Sequence, residues 1–284
     1  MAMEYKTLIN GKQLPLVGLG TYPLHGKQLR DSLRMAVDLG YTLFDTAHKY
    51  ENEREIGDYL KDNTIRNIEI TSKICGTQYL GRRRYLYLNK RSVKKSYAVS
   101  CRKLGVDRLG LYLLHSCSFN NYQDAYSELI DLYKSGKVDA IGVCNASIDN
   151  LLSIYEVCHE YPMVNQVEIY PFCSRSELTD FCKKNGIAVM AHSPFAHGDV
   201  MHEMLSNSIL TELSKKYNKS VAQIILRWIV QQDMIVIPRS TNYDRLKENI
   251  NIFDYSLSGE DMYRIDSLNR NESYGVRSSN NSKY

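Results

Sequence analysis

Four side chains with the chemistry of acids, bases and cations follow short apolar runs in the first half of this 284-residue chain. Asp45 ends "TLFD", Lys73 ends "EITSK" and His115 ends "LYLLH", while Tyr50 lies five residues after the aspartate. Reduction of a carbonyl group needs a hydride at carbon and a proton at oxygen. An acid, an amine, a phenol and an imidazole at one site suit that reaction.

The lysine would tune the tyrosine in this chemistry. A free tyrosine has a pKa of about 10 and is a poor acid at neutral pH, but a neighbouring lysine cation favours the phenolate and lowers that pKa. A buried lysine needs a carboxylate partner, which Asp45 can supply. Neutral His115 can donate a hydrogen bond to the carbonyl oxygen, and a positioned general acid is worth about 10²–10⁴ in rate.

Each of these residues, taken singly, also has an ordinary structural explanation. Aspartates at strand ends often form turns, lysines extend to solvent, buried histidines are usually hydrogen-bonded core residues, and the chain has 22 tyrosines. The functional interpretation depends on the position of all four relative to successive strands.

Strand and helix patterns alternate along most of the chain and would position these residues. Strands are predicted at 16–21, 42–47, 67–73, 109–115, 139–145, 164–170, 187–193 and 234–238. Helices are predicted at 27–39, 53–60, 94–104, 122–134, 148–160, 176–185, 221–232 and 243–251. Eight such units predict an α/β fold, a closed (β/α)8 TIM barrel, whose chemistry lies at the carboxyl ends of the strands.

Composition limits the other possibilities. The net charge is +4, and no apolar run approaches the roughly 20 residues of a membrane span. Seven scattered cysteines without a C-x-x-C pair predict neither disulfides nor a metal site and favour a cytoplasmic protein. We expect one domain over 1–284, with an N-terminal hairpin at 1–15 turning at Asn10-Gly11 and closing the barrel bottom. The polar tail at 272–284 is expected to be loosely held.

Several blocks around these residues resemble the aldo-keto reductase family. "GYTLFDTAHKYENEREIG" resembles its signature, "ITSK" its lysine strand and "DRLGLYLLHS" its histidine strand. The blocks "GKVDAIGVCN", "NQVEIYPF", "GIAVMAHSPF" and "IVIPRSTNYDRLKENINIFDYSLSGEDM" follow in the family's order, so the resemblance covers residues 5–272. It implies a barrel that binds NADPH and reduces aldehydes or ketones.

The resemblance also implies roles for individual residues. Tyr50 would be the proton donor, Lys73 and Asp45 its tuning pair, and His115 the group that orients the substrate. The substrate would contact Tyr22, Tyr50, His115 and Ser116. The cofactor would contact Thr21, Tyr22, Asp45, Cys144, Asn145, Gln166, His192, Ser193, Phe195, Arg239, Ser240, Arg245, Glu248 and Asn249.

Within that set, Asn145 and Gln166 would hold the nicotinamide carboxamide, and Glu248 and Asn249 the adenine. The 2′-phosphate would bind Arg239, Ser240 and Arg245. Two arginines and a hydroxyl at a helix start suit a phosphate independently of the resemblance.

Four positions depart from the family pattern. Cys144 replaces a usual serine, and His192 replaces a tyrosine that stacks on nicotinamide. We expect weaker or pH-sensitive cofactor binding, because a protonated imidazole would repel an oxidised nicotinamide. Ser116 and Tyr22 stand where tryptophans are common, which suggests a wider or more polar substrate pocket.

The basic stretch "GRRRYLYLNKR" at 81–91 follows the lysine strand and has three interpretations. It is a solvated loop, a wall of the substrate site that favours anionic carbonyl compounds, or a nucleic-acid contact. The near-balanced charge elsewhere argues against nucleic acid. The alternative function is an NADPH-binding regulatory or scaffold protein without turnover. We expect a monomer with a small-molecule carbonyl substrate and no membrane or nucleic-acid partner.

Overall fold

The computed structural model describes residues 3–75, 77–79, 85–87 and 90–273. The strands are β1 (Tyr5–Thr7), β2 (Gln13–Pro15), β3 (Leu19–Gly20), β4 (Leu43–Asp45), β5 (Glu69–Ile74), β6 (Thr77–Tyr79), β7 (Tyr85–Tyr87), β8 (Leu111–Leu114), β9 (Ile141–Cys144), β10 (Val164–Glu168), β11 (Ala188–His192) and β12 (Ile235–Val236). The helices are α1 (Gly26–Asp38), α2 (Glu53–Asp62), α3 (Lys90–Leu104), α4 (Tyr122–Lys134), α5 (Ile148–Cys158), α6 (Ser176–Lys184), α7 (Gly198–Leu205), α8 (Ser208–Tyr217), α9 (Val221–Gln231), α10 (Tyr243–Ile250) and α11 (Gly259–Asp266).

Eight strands of the described chain form one parallel sheet in the order β3-β4-β5-β8-β9-β10-β11-β12. The sheet closes on itself, because Val17 bridges Val236 in parallel and the Gly18 N–H donates to the Val236 carbonyl at 2.9 Å. The strands consist largely of buried apolar residues, such as Leu113, Val143 and Met190. The predicted (β/α)8 barrel is confirmed.

The antiparallel hairpin of β1 and β2 lies across the amino-terminal ends of the barrel strands. Asn10 Nδ2 donates to the Asp139 carbonyl just before β9 at 2.9 Å, and Lys12 Nζ lies 2.9 Å from Glu69 at the start of β5. Lys6 also pairs with Asp233, just before β12. These contacts hold the hairpin at the bottom of the barrel, as the sequence predicts, and leave the opposite end open.

Several elements differ from the sequence prediction. The first barrel strand is only β3 rather than 16–21, and the helices α7, α8 and α11 were not anticipated. The repeating pattern suggests one helix between strands, but α7 and α8 both precede α9. Asn207 starts α8 by accepting hydrogen bonds from the Ile209 and Leu210 N–H groups, and that capping signal is present in the sequence. A β6–β7 hairpin also overlaps the basic stretch.

Close packing fixes the segment that follows the predicted tyrosine. A Cβ atom on Gly57 of α2 would lie 2.4 Å from the Lys103 carbonyl oxygen in α3. Only glycine permits this approach of two helices. The helix α2 is thereby held against α3, and it carries the loop of residues 46–52 at its amino end.

The first residues of the tail predicted at 272–284 are hydrogen-bonded to the barrel. In the predicted tail, the Glu272 N–H donates to the Phe172 carbonyl at 3.2 Å, and Ser273 Oγ donates to Glu168 Oε2 at 2.5 Å. The start of the tail is therefore attached to the end of β10, and residues 274–284 lie outside the described residues. Within the described part of the chain, no helix has both the length and the apolar character needed to cross a membrane.

Candidate active site

A buried lysine occupies the centre of the open end of the barrel. Lys73 in β5 is fully buried, and its Nζ donates to Asp45 Oδ1 at 2.5 Å, to the Thr46 carbonyl at 2.9 Å and to Tyr50 Oη at 3.3 Å. An ammonium group has three donors, and here each has an acceptor. Parallel pairing of β4 with β5 brings the aspartate and the lysine together.

Gln166 of β10 completes this cluster. Its Nε2 donates to Asp45 Oδ2 at 2.7 Å and lies 3.0 Å from Met190 Sδ, whereas its Oε1 is 3.9 Å from Cys144 Sγ. The amide nitrogen is thus committed to the aspartate. The predicted contact of Gln166 with the nicotinamide carboxamide would therefore use Oε1 of Gln166, and it stays a prediction. The only side chain near Oε1 among the described contacts is the Cys144 thiol, which is a weak hydrogen-bond donor.

Charge in the cluster is balanced between Lys73 and Asp45. Burial opposes the charge of Lys73, but the Asp45 carboxylate outweighs it, so the pKa of the lysine is raised. Burial raises the pKa of Asp45, and Lys73 and Gln166 act against that rise. Because Lys73 donates to three oxygens, the proton stays on the lysine.

Tyr50 lies at the end of a 3₁₀ turn over His48–Tyr50, with Lys73 Nζ 4.8 Å from its ring centroid. Burial raises the pKa of Tyr50 to about 12, although Lys73 acts to lower it. Lys73 therefore acts in the expected direction, but the net pKa lies above the usual value, because removing the phenolate from water costs more than the cation returns. The hydroxyl remains protonated at neutral pH.

His115 stands beside this tyrosine, its ring 5.6 Å from that of Tyr50 at 77°. Burial, with the cations of Lys73 and Lys49 acting in the same direction, lowers the pKa of His115 to about 3. The imidazole is therefore neutral, as the sequence argument requires. Its Nδ1 lies 3.2 Å from Cys75 Sγ.

The rim next to His115 contains Tyr22 and Ser116, the two positions where the family commonly has tryptophan. Tyr22 is 60% exposed and packs on Tyr50 with ring centroids 4.9 Å apart. Ser116 Oγ lies 2.7 Å from Ser118 Oγ. The structure thus brings Tyr22, Tyr50 and His115 to one mouth, with hydroxyl groups at its edge.

A chain of hydrogen bonds surrounds His192 at the end of β11. His192 Nε2 lies 3.0 Å from Asn145 Oδ1, and Ser193 Oγ lies 3.2 Å from both His192 Nδ1 and His197 Nε2. Burial, together with the nearby Lys73, Arg175 and His197, lowers the pKa of His192 to about 3. His192 is therefore neutral between pH 5.5 and 8, which argues against a pH-sensitive repulsion of the cofactor through this residue, and weaker cofactor binding stays a prediction.

The residues predicted at the far end of the cofactor gather around the start of α10. Asn242 caps this helix by accepting from the Arg245 N–H at 3.0 Å, and Ser240 Oγ accepts from the Asn242 N–H at 3.1 Å. Arg239 and Arg245 are exposed, and among the described residues neither has a carboxylate partner. Asn249 is 3% exposed, and its amide has no hydrogen bond within the described chain.

Comparison with known proteins identifies the family of the chain. A sequence model described as the aldo/keto reductase family matches residues 16–270. The chain belongs to this family.

Individual relatives and solved structures resemble the chain over nearly its whole length. It is 38% identical over 271 residues to glyoxal reductase of Bacillus subtilis, covering 94% of each protein. MGS-M4, an aldo-keto reductase from a Medee basin deep-sea metagenome library, superimposes with a TM-score of 0.86 at 32% identity, covering 94% of this chain and 96% of that one. A Gox0644 variant in complex with NADPH gives 0.87 at 29% identity and covers all of both chains.

Other predicted cofactor residues of this aldo/keto reductase occupy different settings. Thr21 is fully buried, and its hydroxyl donates to the Asp45 carbonyl at 2.8 Å. Phe195 and Glu248 are half-buried, whereas Asn145 is exposed with a positive φ of 55°.

Two supporting residues were missed by the sequence interpretation. Asn52 is fully buried, accepts from Thr46 Oγ1 at 2.6 Å and donates to the Leu24 carbonyl at 3.1 Å. It joins the loops after β3 and β4. Cys75 follows Lys73 by two residues, and the two-residue period of a strand places both on one face, so its proximity to the site was readable from the sequence.

Proposed function

We propose that this aldo/keto reductase reduces the carbonyl group of an aldehyde or ketone with NADPH. The observation that carries the proposal is the hydrogen bonding of Lys73, whose buried ammonium joins the Asp45 carboxylate to the Tyr50 hydroxyl. A charge buried this completely is expensive unless each donor is used. A phenol held next to such a cation is suited to release a proton.

The residues at the cofactor end fit a phosphorylated dinucleotide. Two exposed arginines without carboxylate partners, Arg239 and Arg245, flank the start of α10, where helix N–H groups also favour an anion. With Ser240 they would hold the 2′-phosphate, and Glu248 and the unpaired amide of Asn249 would hold adenine. When bound, NADPH supplies the hydride.

Asn145, Gln166 and His192 would hold the nicotinamide end. The His192 ring is neutral and already directed to Asn145 by its 3.0 Å contact. A neutral ring can lie against an oxidised nicotinamide without charge repulsion. The smaller stacking area of imidazole still favours weaker binding than a tyrosine at this position.

The chain's own residues then manage the proton. Neutral His115 donates a hydrogen bond to the substrate carbonyl oxygen and orients it. Tyr50 Oη passes its proton to that oxygen as negative charge develops there. Lys73 Nζ, 3.3 Å away, stabilises the phenolate that remains, while Asp45 and the Thr46 carbonyl hold Lys73 in place. The raised pKa of Tyr50 keeps the donor protonated between turnovers.

The substrate class is expected to be polar. The rim formed by Tyr22 and Ser116 presents hydroxyl groups, and the glyoxal reductase relative is named for a small dicarbonyl. The side chains of the basic stretch at 81–91 lie outside the described residues. Its role as a solvated loop, a wall for anionic substrates or a nucleic-acid contact therefore stays a prediction.

We also propose that the protein acts in the cytoplasm as a monomer. Its seven cysteines all lie within the described residues, and each is a free thiol. Free thiols in this number favour a reducing compartment. Size-exclusion chromatography with light scattering would test the monomer.

The test is consumption of NADPH beside NADH with glyoxal, other aldehydes, ketones, sugars and phosphorylated carbonyl compounds. We expect turnover with NADPH, and Tyr50→Phe should lose it by about 10²–10⁴ while still binding NADPH. Tight NADPH binding without turnover would favour the regulatory or scaffold alternative. Absence of NADPH binding would contradict the cofactor assignment and the proposal.

A further inference from the structure

Cys75 contacts the imidazole of His115 at the point where two paired strands end. The thiol follows β5, and His115 follows β8, with Ile74 paired to Leu114. The His115 N–H donates to the Ile74 carbonyl at 2.8 Å, which fixes the two backbones against each other. Cys75 Sγ then lies 3.2 Å from His115 Nδ1. Strand pairing therefore sets this contact, rather than flexible loops.

The direction of this hydrogen bond follows from the chemistry of both groups. A neutral imidazole has one N–H donor and one bare nitrogen that accepts. Burial raises the pKa of the Cys75 thiol and lowers that of His115 to about 3, so neither a thiolate nor an imidazolium forms at neutral pH. Both the S–H and the sulfur of a thiol are weak partners, but the bare imidazole nitrogen is a much better acceptor than the sulfur, so an S–H to Nδ1 bond is favoured over an N–H to sulfur bond. The S–H therefore points to Nδ1.

We propose that Cys75 is a positioning residue that selects the tautomer of His115. With Nδ1 occupied as an acceptor, the ring hydrogen is on Nε2, and this nitrogen can donate to a carbonyl oxygen. The opposite tautomer would present a bare nitrogen to that oxygen and repel it. The consequence for substrate rests on the proposed function, whereas the tautomer itself is a property of the protein alone.

The size of the effect is that of one weak hydrogen bond. A net contribution of this kind corresponds to a change of about threefold to tenfold in an equilibrium. Cys75→Ala should thus lower kcat/KM by about threefold to tenfold and leave the NADPH dissociation constant unchanged. Cys75→Ser keeps a donor and should recover most of the loss.

The decisive experiment measures the tautomer directly in the protein without cofactor. Long-range ¹H–¹⁵N correlation spectra of the histidine rings, with His115 assigned by the peak lost in His115→Gln, report which nitrogen carries hydrogen. We expect hydrogen on Nε2 in the native protein and in Cys75→Ser, and an averaged Nδ1 signal in Cys75→Ala. Cys158→Ala, which removes a half-buried thiol bonded to the Gln123 carbonyl, is the matched control and should leave the spectrum unchanged.

Two results would overturn the inference. Hydrogen on Nδ1 of His115 in the native protein would mean that the imidazole donates to the Cys75 sulfur instead of accepting from it. This measurement needs no variant to fold. An unchanged His115 signal in Cys75→Ala would remove the role of the thiol. Because neither result depends on turnover, failure of the carbonyl reductase assay would be distinguished from failure of this inference.

Discussion

The two charged regions at the open end of the barrel are built on opposite principles. Around Lys73 the charges are buried, and the ammonium, the Asp45 carboxylate and the Gln166 amide already satisfy one another. Around α10, Arg239 and Arg245 are exposed and lack carboxylate partners within the described chain. The first region pairs its charges internally, whereas the second leaves its two guanidinium groups in solvent.

This difference follows from the cost of desolvation. A buried charge without partners costs several kcal/mol, so the cluster must be assembled as the chain folds. Exposed guanidinium groups stay hydrated, so leaving them without an anionic partner costs little free energy of folding. We infer that stability and catalysis are linked at Lys73 and are separable at the arginines.

The strongest test of this comparison is Lys73→Met. The change leaves the Asp45 carboxylate buried with only Gln166 as a side-chain partner, and should cost about 3–5 kcal/mol in the free energy of unfolding. Urea denaturation at pH 7 measures it. The double variant Lys73→Met with Asp45→Asn removes the orphaned charge and should recover part of that loss. A cost below about 1 kcal/mol would mean that the buried pair does not hold the region together.

At Arg245 we expect a smaller effect, on cofactor affinity rather than on stability. Arg245→Ala should raise the NADPH dissociation constant by about tenfold to a hundredfold, as expected for one charge-assisted hydrogen bond, and leave NADH binding nearly unchanged. Unfolding free energy should stay within about 0.5 kcal/mol of the native value. Fluorescence titration with both cofactors measures the binding.

The matched control is Arg108→Ala, at the other end of the barrel, where the arginine pairs with Asp139 at 2.7 Å. It removes an equal charge and should not change the preference for NADPH. Equal loss of NADH and NADPH affinity in Arg245→Ala would argue against a 2′-phosphate contact.

Two half-buried histidines make the open end of the barrel sensitive to acid. His115 and His192 have pKa values of about 3 in the folded protein, against 6.5 for an ordinary histidine. Between these values the unfolded chain binds more protons, so stability is fully present above about pH 6.5 and falls as the pH drops towards 3. Each histidine contributes at most about 1.4 kcal/mol per pH unit.

Because carboxylates also titrate in acid, the measurement is a difference between variants. Urea denaturation at pH 7 and pH 5 should show a shallower loss of stability in His192→Gln than in the native protein. His202→Gln changes an exposed histidine and should retain the native slope. Identical slopes in all three proteins would show that His192 is not buried neutral.

The smallest expected effect concerns cofactor binding and pH. Since His192 stays neutral above pH 5.5, His192→Tyr should change the affinity for NADP⁺ by the same factor at pH 5.5 and pH 8, within about twofold. The phosphate of the ligand titrates equally in both proteins and cancels in this ratio. If the ratio of the NADP⁺ affinity of His192→Tyr to that of the native protein grows as the pH falls, His192 is protonated in acid, as the sequence suggested.

Local patterns were enough to predict much of the barrel. Strand and helix periodicity gave the order of the eight units, and Asp45, Lys73 and His115 were placed at strand ends because side chains there face the open mouth. Patterns missed α7 and α8, since one helix per strand was assumed, although Asn207 carried a capping signal. The hairpin was predicted from Asn10-Gly11, because that pair favours a tight turn by its own conformations.

The sequence by itself determined which groups are present at the mouth, because their positions depend on backbone periods of a few residues. Only the tertiary structure decided how those groups behave. The amide of Gln166 reaches Asp45 across 121 residues of chain, Cys75 meets His115 across 40, and burial raises the pKa of Tyr50 despite its lysine. Desolvation and hydrogen-bond partners depend on which distant segments exclude water from a group, and no local pattern contains that information.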